Sequence, residues 1–196
     1  MKSALNSAVF DQLFHQARTV NAFTEQKLTD EQLHALYDAA KMPPTAFNAQ
    51  PARFVFITSQ AGKEKLVPLM MQGNQAKTLQ SPLTVIVAYD TNFQEHLPEQ
   101  FPAMDVKGMF DADPAMTETA AFRNGSLQGA YLMIAARALG LDCGPMSGFD
   151  NAAVDAAFFA DGRFKSNFIV NIGYGIPESS YPRGPRLTFE QAVTMA

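Results

Sequence analysis

The sequence predicts an α+β fold. Three apolar, β-rich runs read as strands, at Arg53 to Thr58, Leu83 to Tyr89 and Asn167 to Tyr174. Helical periods fall before, between and after them, without the regular strand–helix–strand alternation of a doubly wound sheet. A length of 196 residues suits one domain over 1–196, with room for a real core. There is no low-complexity linker and no internal repeat.

Taken in order, Thr29-Asp30-Glu31-Gln32 reads as a capping box, with Leu28 and Leu33 placed as a hydrophobic staple. Leu33, Leu36, Tyr37 and Ala40 then recur at helical spacing until Pro43-Pro44 ends the run. Lys63 to Leu79 reads as helical with an interruption near Gly73. Asn92 to Pro114 carries three prolines and few periodic apolar residues, so it is expected to be a long excursion of the lid type. Glu118 to Leu139 is the longest helical stretch. Leu127, Tyr131, Ile134 and Ala138 follow its period, Ala130, Ala135 and Leu139 make other faces apolar, and a central position is expected. Gly125 and Gly129 lie one turn apart and allow close approach, and Gly140 is placed as the C-terminal cap. Asp150 is the expected N-cap of a short helix, stapled by Phe149 and Val154.

Composition narrows the function. A formal net charge of −4 with scattered Lys and Arg argues against nucleic acid. No apolar run is long enough to span a membrane. The start, Met1-Lys2-Ser3-Ala4-Leu5-Asn6, lacks the apolar segment of a signal peptide, so a cytoplasmic protein is expected. An apolar share of 47% is high for so small a body and points to a buried subunit interface. Cys143 is the single cysteine and is expected to be buried and inert. His15, His34 and His96 are scattered, which argues against a metal site. Gly173-Tyr174-Gly175 lacks the third glycine and the following helix of a dinucleotide fingerprint, so it reads as a strand end. Neither a P-loop nor a Gly-x-Ser-x-Gly elbow is present.

Four short patches carry the chemistry: Ala17 to Phe23, Pro44 to Pro51, Gly144 to Asp150 and Tyr181 to Arg186. Singly, Arg18, Arg183 and Arg186 read as surface charges and Pro44 to Pro51 as a polar turn between helix and strand. Asn74 and Lys77, three residues apart, share one helical face, which could be a solvated one.

In their order and spacing these patches resemble the nitroreductase family of FMN-dependent oxidoreductases, over nearly the whole chain. Within that family the chain is most similar to the branch containing malonic semialdehyde reductase. The resemblance implies a central, mostly antiparallel sheet flanked by helices, and a homodimer with FMN at its interface. It implies that Arg18, Thr19 and Asn21 stand in the first basic and hydroxyl cluster, with Phe23 as the family phenylalanine. Ala17 and Asn21 replace basic residues there. Thr45 and Asn48 would reach the flavin held mainly by the other subunit, while Asn74 would read the ring edge and Lys77 would meet the ring or the phosphate side. Met146, Ser147 and Gly148 would bring backbone N–H groups near the ring, and Arg183 and Arg186 would close on the phosphate. NADPH or NADH would visit as hydride donor, and the flavin itself carries the redox chemistry, so no acid–base triad is required. The implied activity is reduction of malonic semialdehyde to 3-hydroxypropionate, with Arg53 or Arg123 binding the substrate carboxylate and Ala52 opening space where the family has tryptophan. A general nitroaromatic or quinone reductase, a flavin binder without turnover and a structural oligomer are the alternatives.

Overall fold

The computed structural model describes residues 3–196; Met1 and Lys2, the start of the segment read for a leader, lie outside the described residues. Four antiparallel strands form one sheet in the order β1-β2-β4-β3, with β1 at Ala52–Ile57, β2 at Leu83–Asp90, β3 at Asp142–Met146 and β4 at Phe164–Gly173. Every residue of β2 is buried, as a strand covered on both faces requires. Its side chains alternate between two cores. Val85 and Val87 join Leu36, Ala40, Leu132, Ala136 and Ile172 on one face. Ile86 and Ala88 join Leu66, Met70, Phe149, Val154 and Ile169 on the other.

Nine helices surround the sheet among the described residues: α1 Ser7–Phe10, α2 Asp30–Ala40, α3 Gln60–Leu66, α4 Gln72–Gln80, α5 Leu97–Gln100, α6 Lys107–Ala112, α7 Pro114–Ala138, α8 Asn151–Phe158 and α9 Phe189–Ala192. A wide turn, Asp11–His15, continues α1. The capping box of α2 is complete: Gln32 N donates to Thr29 Oγ1 at 3.2 Å and Thr29 N donates to Gln32 Oε1 at 3.0 Å. Asp150 caps α8 by accepting from Ala153 N at 3.0 Å. No helix among the described residues is long and apolar enough to cross a membrane.

Helix α7 is the longest element and lies against the sheet. Asp113 caps it and Pro114 occupies its first turn, where a missing N–H costs nothing. Gly140 follows its end at φ +76°, the left-handed conformation glycine adopts without penalty. A Cβ on Gly129 would stand 2.4 Å from Phe168 Cζ and 3.0 Å from Val87 Cγ1, so this glycine sets the helix–sheet distance. The periodic stripe lies away from the buried face: Leu127 is 47% and Tyr131 39% exposed. The buried face carries Ala121, Asn124, Gln128, Leu132 and Ala135.

Other expectations need correction. The helix expected over 63–79 is two helices, because Pro68 and the extended Met70 break it; Gly73 sits inside the first turn of α4. Strand β3 was hidden by Gly144-Pro145, yet proline is tolerated there because β3 is an edge strand. The excursion after β2 is ordered rather than a bare loop. Phe93, Leu97, Val106 and Phe110 bury themselves in a third small core with Tyr89 and Ala121.

Candidate functional site

The segment after α1 runs beside β3. Thr19 bridges Cys143 in parallel, and Val20 N donates to Cys143 O at 3.2 Å. Gly144 permits this contact, since a Cβ there would meet Val20 O at 2.8 Å. Burial pushes the Cys143 thiol up to about 12, so it stays protonated and unreactive.

The same path assembles a basic cavity of about 480 Å³, into which Arg18, Thr19, Arg137, Arg183 and Arg186 all face. The tail and the first segment lace each other across it. Arg18 donates to Tyr181 O, while Arg183 donates to His15 O at 2.6 Å and Ala17 O at 2.8 Å. Arg186 donates to Gly184 O at 3.0 Å. Carbonyls take hydrogen bonds but leave the charge uncompensated. Among the described residues no carboxylate lies within 4.0 Å of any of these four guanidiniums. Arg137 Nε is buried with no hydrogen-bond partner among the described residues. Such a donor set fits a phosphate dianion.

Further along β3 the donors become neutral. Asn74 Nδ2 and Met71 N both donate to Gly148 O at 2.9 Å. A Cβ on Gly148 would stand 2.6 Å from Asn74 Nδ2, so glycine lets the loop close on α4 with the Asn74 amide in its observed place. Ser147 is exposed beside it, while the Met146 side chain is buried in the second core and leaves only its backbone to the site. Lys77 Nζ donates to Asn21 Oδ1 at 3.4 Å, and Asn21 Nδ2 donates to Ser179 O at 3.0 Å. Asn21 therefore holds Lys77 and the tail rather than supplying a free donor.

Thr19 beside Cys143 and Ser147 four residues on are about 13 Å apart at about 3.3 Å per residue. The arrangement is a line: a cationic end, a lysine and amide between, and a glycine-backed amide edge. It fits an extended molecule with a phosphate at one end and a flat, hydrogen-bonding group at the other.

The chain does not bring every expected residue to this line. Thr45 Oγ1 accepts from Gln50 N at 3.1 Å, and Asn48 Nδ2 donates to Gln100 O at 3.1 Å. Their loop is tied to α7 by Ala46 N donating to Asn124 Oδ1 at 2.9 Å. It holds Phe47, Asn48 and Gln50 at positive φ, a strained conformation for non-glycine residues. Arg53 pairs with buried Asp90 at 2.7 Å and donates to Gln50 O and Ala52 O. Asp90 is shared with Arg163. The expectation that Arg53 binds a carboxylate meets a guanidinium already committed to one. Arg123 has no ion pair among the described residues and lines a separate cavity of about 590 Å³ with Tyr89, Glu118, Phe122 and Ser126. Arg137, Ser179 and Met71 were not anticipated. The signal for Arg137 was its place at the end of the long helix, in a chain whose first basic cluster is short of cations.

Known proteins bear on this geometry. The nitroreductase family profile matches residues 15–174. A protein of Ralstonia nicotianae, provisionally named an NADH dehydrogenase/NAD(P)H nitroreductase, is 58% identical over 188 residues, covering 96% of each chain. A solved Bacillus subtilis structure, provisionally named a nitroreductase, is 26% identical with a TM-score of 0.86, covering 97% of this chain and 100% of that one. Another, from Exiguobacterium sibiricum and solved in complex with FMN, superposes with a TM-score of 0.86 at 22% identity, covering 100% and 99%. With the sheet order and helical layers described above, these matches establish that the chain belongs to the nitroreductase family.

Proposed function

We propose that the chain is an FMN-dependent NAD(P)H oxidoreductase that reduces a small carbonyl acid, malonic semialdehyde, to 3-hydroxypropionate. The observation that carries the flavin assignment is the unpaired arginine cavity joined by β3 to the Asn74–Gly148 edge. Arg18, Arg137, Arg183 and Arg186, with the Thr19 hydroxyl, would hold the phosphate, and Lys77, Asn74 and the Ser147–Gly148 backbone the ring. When bound, FMN supplies the two-electron chemistry between a nicotinamide and the substrate. The chain's own residues would orient the cofactor, with the arginines at its phosphate and the backbone approaching closely at Gly148. NADH and NADPH both suit this reading.

A homodimer supports the site. Leu127 and Tyr131, one turn apart, leave an apolar surface along α7. Asn124, which tethers the Thr45–Asn48 loop, and Arg137, at the cationic end, are about 20 Å apart along the helix. A two-fold pairing with antiparallel α7 helices would carry one chain's loop to the other's flavin end. Thr45 and Asn48 then act across the interface.

For the substrate, Arg123 is the available cation, with Tyr89 and Phe122 as apolar neighbours. Those same aromatic groups, and the nitroreductase name of the Ralstonia relative, favour a second reading, reduction of nitroaromatics or quinones. The test is anaerobic turnover of the purified protein with NADPH and NADH, after acid release and mass identification of the cofactor. The proposal expects FMN, bleaching by the nicotinamide, and faster reduction of the semialdehyde than of a nitroaromatic or quinone. A large preference for the aromatic acceptors selects the second reading. A colourless, well-folded protein removes both.

A further inference from the structure

We propose that Arg137 is a phosphate ligand and the residue by which this chain selects a phosphorylated flavin over a dephosphorylated one; this rests on the flavin reading above. The first basic cluster holds only one cation, Arg18, since Ala17 is neutral and Asn21 is spent on Lys77 and Ser179. Arg137 reaches the same cavity from a different element, the last turn of α7.

A cation at a helix C-terminus has an ordinary explanation, the capping of the last carbonyls. That task is already done by backbone. Leu139 N donates to Ala135 O at 3.0 Å, Gly140 N to Arg137 O at 3.1 Å and Leu141 N to Ala136 O at 2.9 Å. Gln12 Nε2 adds a bond to Arg137 O at 2.6 Å. Among the described residues the guanidinium makes a single bond, from Nη1 to Leu13 O at 3.2 Å, and buries Nε with no acceptor. A buried N–H of a charged group left unmatched is costly, and here it belongs to a residue lining a cavity of arginines. A phosphate oxygen accepting from Arg137 Nη2, which makes no hydrogen bond among the described residues and is not buried, neutralises the charge in one contact. The ring end of the site gains nothing from it, so the effect falls on the phosphate alone.

The experiment measures FMN and riboflavin binding by fluorescence quenching, using the full-length chain freed of flavin, with melting temperature read with and without inorganic phosphate. Arg137→Gln should weaken FMN on the order of ten- to a hundredfold, the size of one charge-assisted hydrogen bond, and leave riboflavin unchanged. Phosphate should raise the melting temperature of wild type more than that of the variant. Arg137→Lys keeps the charge but not the fork and should fall between; it serves as the test if the glutamine variant fails to fold. Unchanged FMN affinity in both variants overturns the inference. Equal losses of FMN and riboflavin also overturn it, because they mark a structural role through Leu13. If neither flavin binds wild type, the flavin reading fails. Arg137 as an anion ligand then stands if phosphate stabilises wild type but not the variant, and falls if the shifts are equal.

Discussion

The Asn74 side-chain amide and the Gly148 carbonyl meet at 2.9 Å, and this contact joins α4 to the loop after β3. Both residues lie at the proposed ring edge, so the contact sets how wide that edge is.

Substituting Gly148→Ala would place a Cβ 2.6 Å from Asn74 Nδ2 and 3.1 Å from Met71 Sδ. Asn74 must move, and the loop with it. The expected result is a shifted flavin absorption band and faster cofactor loss, with a stability cost of about 1–3 kcal/mol. Visible spectra and thermal melts of the variant check both.

Arg53 and Arg123 should separate cleanly. Arg53→Ala leaves buried Asp90 with Arg163, the Asn92 N–H and His96 at 4.0 Å, and should lower stability by about 1–3 kcal/mol, depressing all substrates alike. Arg123→Ala should leave the melting temperature unchanged. Its kcat/KM on the semialdehyde should drop on the order of tenfold or more, while an uncharged quinone is reduced as before. Parallel losses in Arg123→Ala would move the carboxylate site elsewhere.

Lys63 gives a pH signature. It is buried, donates to Leu79 O at 3.4 Å and Ser81 Oγ at 3.5 Å, and burial pushes its amine down to about 8. Because the folded state holds this proton less tightly than the unfolded chain, the group opposes folding fully below about pH 8. The penalty fades as pH rises towards the unfolded value near 10.5. Lys63→Met should therefore be more stable than wild type near neutrality by about 2 kcal/mol, with the gap closing through that window. Urea titrations at neutral and alkaline pH measure it; a gap independent of pH would contradict the assignment.

The exposed surface of α7 predicts an assembly. Leu127→Glu with Tyr131→Glu adds charge where no core packing is lost, since both side chains face outward. Light scattering should show a monomer, circular dichroism a native fold, and absorbance a loss of flavin. A folded monomer that keeps its full flavin complement would separate the cofactor from the interface.

How much of this was legible in the sequence follows from what periodicity encodes. Strands β1 and β2 stood out because β-branched and aromatic runs have few other uses, and the N-caps of α2 and α8 and the glycine after α7 were readable because capping is local chemistry, whereas Asp113–Pro114, the true start of α7, was hidden in what reads as a loop. Strand β3 was not, because Gly144-Pro145 reads as a turn unless one knows the strand lies at an edge. The central place of α7 was readable from its several apolar faces, and the helix does pack on the sheet and on α2; which face meets the sheet was not, and Leu127 and Tyr131 are exposed. A period reports that a face is apolar, not whether the sheet or solvent meets it. The site was legible as a series of motifs. Arg137 was not, because its role depends on long-range folding that carries the end of α7 to the tail.

The lacing of Arg18 to Tyr181 and of Arg183 to Ala17 joins segments 163 and 166 residues apart in sequence. The sheet uses none of these contacts, since its last strand ends at Gly173. The cavity therefore depends on the tail while the sheet does not: a chain cut ahead of Tyr181 would keep every strand pairing yet lose Arg183 and Arg186 from the cationic end.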